Sequence, residues 1–304
     1  MNPIIGLIRT AQLRANAPLI NAPEPPDLAV HRNIPYRDDD SAWHRLDVYS
    51  PRGFRGPLPV IVEIHGGSYL SCCKEINAPH GFYLASRGFH VVNMNYTLCP
   101  EGSCATVLNE VVDVLRWVDA NAALRGFDRR RVFLTGDSAG GHFVLLSAAA
   151  CSNPETAAFF AVKKPPFLPA GYSASCPGGS FAWRLVPKSP PALLVFLLLG
   201  RVTFDRACAE NASYDRFMDD RFPRVWFCTT PSDGLMYRHT RQMHTFMAAR
   251  EIDHVYREYA GAGAPLPHAF NILQPDRPES RAANDDMIGF FRASCLTAPP
   301  CPYG

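Results

Sequence analysis

The stretch Arg131-Val132-Phe133-Leu134-Thr135-Gly136-Asp137-Ser138-Ala139-Gly140-Gly141 joins a short β-branched and aromatic run to a run of small residues. The first half reads as a buried strand and the second as a tight turn into a helix. A serine at such a turn sits at a strained apex with its hydroxyl above the sheet edge. Its flanking glycines are required because a side chain there would collide with the neighbouring strand and helix. G-x-S-x-G alone is a weak signal, since a glycine-rich turn can simply pack. The strand before it and the helix after it make Ser138 a candidate nucleophile.

A nucleophilic serine needs a base, an acid to orient the base, and donors for the oxyanion. Pro59–Ile64 reads as a strand that empties into His65-Gly66-Gly67-Ser68-Tyr69. Glycines after a strand let backbone N–H groups turn toward developing negative charge, so Gly66, Gly67, Ser68 and Ala139 form the expected oxyanion hole. His65 precedes the serine, the wrong chain order for a base in this arrangement, and is expected to brace the loop. The acid and base come late. Arg224–Thr230 reads as a strand and places Asp233 in the turn beyond its carboxyl end, on the rim where open α/β sheets bind ligands. Asp219 and Asp220 precede that strand. His254–Tyr259 reads as the next strand, and the loop after it carries His268. The expected triad is Ser138, Asp233 and His268.

With these blocks in view, the chain resembles the hormone-sensitive-lipase-like branch of the α/β-hydrolase superfamily, near the feruloyl- or acetyl-esterase-like serine carboxylesterases. The resemblance rests on His65-Gly66-Gly67, Lys74-Glu75, Asn95-Tyr96 with Pro100-Glu101, Gly136–Gly141, Asp233 and His268. It implies serine esterase chemistry with no metal and no organic cofactor. It also marks departures: Ser68 replaces a third glycine, Tyr69 a tryptophan, Cys72-Cys73 a Gly-Asp pair, and Thr97 an arginine. Two other readings keep the fold. One is an aryl formamidase or peptidase-like amidase on the same triad, the other a non-catalytic binding protein. The completeness of the triad weighs against the latter.

Strand alternating with helix argues a mainly parallel, twisted sheet with helices on both faces. The chain divides into an N-terminal arm (1–27), a single α/β-hydrolase domain (28–294) opening with an antiparallel strand pair, and a frayed tail (295–304). Val107, Val111, Val112, Leu115 and Val118 recur at helical intervals and mark one buried helix face. Regularity fails over 151–222, which is expected to contain a cap insertion. Its apolar run 191–200 would line an acyl pocket or pack as a helix on the sheet edge.

The remaining features exclude more than they assign. A net charge of +2 gives no field for nucleic acid or an anionic membrane. Ten cysteines, about 3% of 304 residues, fall far below disulfide-scaffold density, and no Cys-x-x-Cys pair occurs. The apolar run is too short to span a bilayer, and no secretory signal is read at the N-terminus. A cytoplasmic protein acting on a small-molecule ester is expected, with a homodimer left open.

Overall fold

The computed structural model describes residues 3–179 and 206–297. In chain order these residues form α1 (Pro3–Ala15), α2 (Ala17–Ile20), β1 (Leu28–Pro35), β2 (Arg45–Pro51), β3 (Leu58–Ile64), a 3-10 turn (Lys74–Asn77), α3 (Ala78–Ser86), β4 (His90–Met94), α4 (Cys104–Arg125) and β5 (Phe127–Asp137). They continue with α5 (Ser138–Ser152), α6 (Pro154–Phe159), β6 (Gly171–Ser175), α7 (Arg206–Asn211), α8 (Tyr214–Phe217), β7 (Val225–Thr229), α9 (Tyr237–Ala249), β8 (His254–Glu258), α10 (Phe270–Leu273) and α11 (Pro278–Thr297). The strands make one sheet in the order β1-β2-β4-β3-β5-β6-β7-β8. β1 and β2 pair antiparallel, as does β2 with β4, and every other pairing is parallel.

Side chains alternate across a strand, and here both faces are apolar. Val60, Val62, Ile64 and Leu134 enter one core with α4 and α5, while Ile61, Phe133 and Trp226 enter another with α3 and α11. The helix face expected from Val107, Val111, Val112, Leu115 and Val118 is buried throughout. Ser103 caps α4 by accepting the Thr106 N–H at 3.2 Å. Gly126 ends it in the left-handed conformation that glycine tolerates best.

One expectation changes. The segment 151–222, expected to be irregular, supplies β6, which lies inside the sheet between β5 and β7. Gly171-Tyr172-Ser173-Ala174-Ser175 is short and built mostly of small residues, so propensity hides a strand that burial between two neighbours enforces. Residues that could cover the sheet edge therefore follow β6, and the apolar run 191–200 lies outside the described residues. The N-terminal arm carries α1 and α2, and the guanidinium of Arg9 is buried. It donates to the carbonyls of Leu70 (2.7 Å) and Cys99 (3.0 Å) and pairs with Glu101 (2.6 Å).

Candidate active site

β5 ends at Asp137 and α5 begins at Ser138 with no intervening loop, and the turn is sharp enough to put Ser138 at φ 50°. A non-glycine residue there is strained, of order 1–3 kcal/mol, and persists only where its surroundings over-determine it. The glycines do the determining. A Cβ on Gly140 would lie 2.0 Å from the Ile64 carbonyl oxygen, and one on Gly136 would lie 2.6 Å from the same atom. The helix and β3 approach this closely only because those positions have no side chain. Ser138 is half-buried and Ala139, in the first turn of α5, is buried. N–H groups of a first turn lack partners within their helix and carry the positive end of its dipole.

The loop after β3 faces this turn and is held peptide by peptide. His65 donates its Nδ1–H to the Gly66 carbonyl at 2.7 Å. Because a trans peptide points its C=O and N–H in opposite directions, that bond aims the Gly67 N–H away from His65. The Gly67 carbonyl accepts from Leu70 N (3.2 Å), Ser71 N (3.0 Å) and Ser71 Oγ (2.8 Å), which turns the Ser68 N–H to the other side. The Gly66 N–H is different. It donates to Asp137 Oδ1 at 3.0 Å. Gly66 therefore leaves the expected oxyanion set and serves as the hinge that pins the loop to the elbow.

His65 occupies the bracing role the chain order implied. Its ring is fully buried and stacks on Tyr96 with centroids 4.4 Å apart, and Tyr96 donates to the His65 carbonyl at 3.0 Å. Burial pulls the imidazole down to about 4, so it stays neutral. Asp137 also accepts from Asn77 Nδ2 at 3.0 Å. Burial pushes its carboxyl up from the ordinary range against the pull of these donors. Sequence reading passed over Asp137, although an ionisable residue inside an apolar strand-to-helix motif signals a buried polar contact.

The substitutions relative to the resemblance become interpretable. Gly67, Ser68 and Tyr69 take φ of 117°, 54° and 68°, and Cys72 takes 75°. Ser68 and Cys72 thus hold a left-handed backbone where the resemblance has glycine. The Cys72 and Cys73 thiols are pushed by burial to about 11 and about 12, which keeps them protonated in neutral solution. Thr97 replaces an arginine and turns inward, giving its N–H (2.8 Å) and hydroxyl (2.6 Å) to Glu110. Lys74 is fully buried, pairing with Asp47 at 2.9 Å, with Glu75, and with Asn33 Oδ1 at 2.9 Å, so that it ties the segment after the loop to β1 and β2.

On the other side of the elbow, β7 delivers Asp233 and β8 delivers His268. His268 Nδ1 lies 2.7 Å from Asp233 Oδ2. The carboxylate can only accept, so Nδ1 carries the proton and Nε2 is left as the basic nitrogen. Asp233 Oδ1 accepts the N–H groups of Leu235 (2.8 Å) and Met236 (3.0 Å). Burial pushes the Asp233 carboxyl up, but His268 and these two amides outweigh it and hold it below the ordinary carboxylate range. Ser138, Asp233 and His268 follow three parallel strands of one sheet, so all three stand at its carboxyl edge. Sequence reading missed Cys176. Its thiol, at the end of β6, lies within 4.8 Å of the ligating atoms of both Asp233 and His268. It is fully buried and its ionisation is strongly suppressed by desolvation. The cysteines at all nine described positions are free thiols.

A family model, BD-FAE, matches residues 46–164. Among curated relatives, isoprenylcysteine alpha-carbonyl methylesterase of Arabidopsis thaliana is 32% identical over 42% of this chain and 28% of its own length. Carboxylesterase NlhH of Mycobacterium tuberculosis is 32% identical over 44% of this chain and 43% of its own. The chain spans less than a third of the length of the methylesterases it matches. Among solved structures, esterase B of Lactobacillus rhamnosis superposes with a TM-score of 0.86 over 97% of both chains at 23% identity. The thermophilic carboxylesterase EstE1 from a metagenomic library superposes at 0.71 over 97% of this chain and 98% of that one, at 21% identity. The chain has the α/β-hydrolase fold, and it is similar to the hormone-sensitive-lipase-like esterases.

Proposed function

We propose that this protein hydrolyses carboxylic esters with small acyl or aryl groups through an acyl-enzyme. His268 Nε2 takes the Ser138 proton as Oγ attacks the ester carbonyl, and Asp233 stabilises the imidazolium that forms. The tetrahedral oxyanion is held by the N–H groups of Gly67, Ser68 and Ala139. Collapse expels the alcohol with the proton that His268 returns. Water then enters by the same route, and the acid leaves with Ser138 restored. No step requires a metal or an organic cofactor.

The observation that carries this reading is the Asp233–His268 contact of 2.7 Å at the same sheet edge as a serine held at positive φ. The names of the relatives add support for the substrate class. They include, at 29% identity over 37% of this chain, versiconal hemiacetal acetate esterase of Dothistroma septosporum, whose named acyl part is small, and a methylesterase, whose small part is the alcohol. Among the described residues no helix is long and apolar enough to cross a membrane.

A fluorophosphonate probe tests the chemistry. It should label the parent chain at Ser138, and hydrolysis of p-nitrophenyl acetate should stop with labelling. Comparing that ester with an aryl formamide and a peptide anilide then ranks the bonds cleaved. Faster turnover of the formamide or the anilide would replace the esterase reading with its amidase counterpart, and absence of labelling would remove both.

A further inference from the structure

Three consecutive residues at positive φ, Gly67, Ser68 and Tyr69, are costly for a loop that has to hold amides in fixed positions. Tyr69 is the most expensive of them, a bulky aromatic in a conformation that few non-glycine residues adopt. Something must hold it there, and its side chain shows what does. The ring is buried and meets Phe143 edge-on with centroids 5.5 Å apart. Its hydroxyl lies 2.9 Å from His142 Nδ1. The other nitrogen of that imidazole, Nε2, lies 2.7 Å from the carbonyl oxygen of Ala212.

The directions of these bonds follow from the groups. A carbonyl only accepts, so Nε2 carries the proton of a neutral imidazole and Nδ1 is its acceptor. The phenol is then the donor, and a one-way chain runs from Tyr69 through His142 to Ala212. His142 is fully buried, and that burial draws its imidazole down to about 4. The pair therefore stays uncharged in neutral solution. The Tyr69 hydroxyl also rests on Gly178, where a Cβ would come within 2.7 Å of it. Gly178 N–H donates to the Ser138 carbonyl at 2.9 Å, and Tyr214 N–H donates to the Gly179 carbonyl at 2.9 Å. The backbone after β6 and the backbone between α7 and α8 are thus both keyed to the first turn of the nucleophile helix and to Tyr69.

We infer that Tyr69 and His142 are positioning residues that lock the Gly67–Ser68 amides in register by tying the loop to the backbone at Ala212. The inference rests on the esterase reading and deepens it. Neither residue touches reacting atoms; they act through the loop. If the tie sets oxyanion geometry, its loss should weaken contacts made in the transition state and leave ground-state binding alone.

The test uses the full chain and four variants: Tyr69→Phe, His142→Gln, His142→Asn and the double variant Tyr69→Phe/His142→Gln. Tyr69→Phe keeps the ring and removes the donor. His142→Gln keeps an N–H for Ala212 and withdraws the acceptor from Tyr69. His142→Asn leaves an acceptor near the Nδ1 position for Tyr69 but, being shorter, no donor for Ala212, so it breaks the other half of the tie. With p-nitrophenyl acetate, kcat should fall about tenfold in Tyr69→Phe and in His142→Gln with KM within twofold, a transition-state loss of about 1.4 kcal/mol. The double variant should be no worse than either single, and His142→Asn should lose kcat as His142→Gln does, since either break unties the loop from Ala212. A trifluoromethyl ketone, whose serine adduct bears the oxyanion, should weaken by the same factor as kcat. An unchanged kcat in Tyr69→Phe, or additive losses in the double variant, overturns the inference while leaving the triad standing. A loss confined to KM or to melting temperature overturns it too. Activity that survives Ser138→Ala instead removes the esterase reading itself and this inference with it.

Discussion

Residues 46–164, which the BD-FAE family model matches, and the described residues of 165–297, which it does not, supply the two sides of the proposed site. The first region supplies the proposed nucleophile Ser138 and the proposed oxyanion loop, and the loop acts through its backbone. What matters there is peptide orientation, so the region is packed with buried polar anchors: Asp137 on Gly66 and Asn77, His65 on the Gly66 carbonyl, Lys74 on Asp47. The second region supplies Asp233 and His268, and what matters there is two side chains. Asp233 is buried and fastened by two amides, while the His268 ring stays 21% exposed at the end of a largely exposed loop. Backbone machinery constrains sequence over long stretches because each peptide needs its own anchor. Side-chain machinery needs only a strand end and one residue of the right type.

The comparison can be broken most decisively at the residues that do chemistry. Ser138→Ala should lower kcat on a short aryl ester on the order of 10⁶-fold with the fold intact, as measured by turnover and circular dichroism. His268→Ala should be about as damaging, and the Ser138→Ala/His268→Ala variant little worse than either, since the pair acts as a unit. His65→Ala should behave as an anchor of the first region. It should lose melting temperature first, with activity falling because the loop loosens. A folded, inactive His65→Ala beside a mild His268→Ala would reverse the assignment of base and brace.

Next in size come the anchors themselves. Asp137→Ala strands the Gly66 N–H and the Asn77 amide in the interior, and each buried orphan costs about 1–3 kcal/mol. Urea unfolding should show that loss, and a variant as stable as the parent would mean that the loop is not held from the elbow. The pH dependence of stability sharpens the same point. His65 and His142 are fully buried and drawn down to about 4 by desolvation. The unfolded chain takes up these protons near 6.5 and the folded chain only near 4, so stability is intact above about 6.5 and is lost as pH falls toward 4. Each histidine contributes on the order of 3 kcal/mol to that loss, and replacing His142 with Gln should flatten the curve by its share.

The smallest effect is at Ser68. At φ 54° and exposed, it strains the backbone and packs little. Ser68→Gly should relieve about 1 kcal/mol of strain and leave kcat unchanged or raise it up to a fewfold, whereas Ser68→Ala should be silent. A hundredfold loss of kcat in Ser68→Ala with KM unaltered would show that the hydroxyl, and not only its backbone N–H, meets the oxyanion.

Much of this was legible in the sequence because strand ends are. β3, β5, β7 and β8 each announce themselves by β-branched or aromatic runs, and Gly67, Ser138, Asp233 and His268 follow from where those runs stop. The hidden parts are those whose cause is tertiary. β6 carries little propensity of its own and is a strand because β5 and β7 flank it. Cys176 reads as one buried thiol among many until β6 places it beside Asp233. Arg9 lies in a segment of Ala, Pro and Asn that suggests an arm, and nothing local says that its guanidinium reaches carbonyls sixty-one and ninety residues away. His142 looks like a residue of the helix after the motif; its role comes from Tyr69 and Ala212, which lie far from it in the chain.

Arg9 carries a practical consequence. Because α1 donates to Leu70, the residue that follows Tyr69, the first helix is structurally an extension of the proposed oxyanion loop, reached from sixty-one residues earlier in the chain. Trimming the leading residues to tidy an expression product, or nicking the stretch between α2 and β1 with a protease, would remove a support from the catalytic loop while sparing the whole sheet. Such a product should keep the sheet and, if the proposed loop depends on that support, hydrolyse esters more slowly. Specific activity, compared between intact and trimmed chains, is therefore the quality check to apply before any kinetic constant is attributed to the active site.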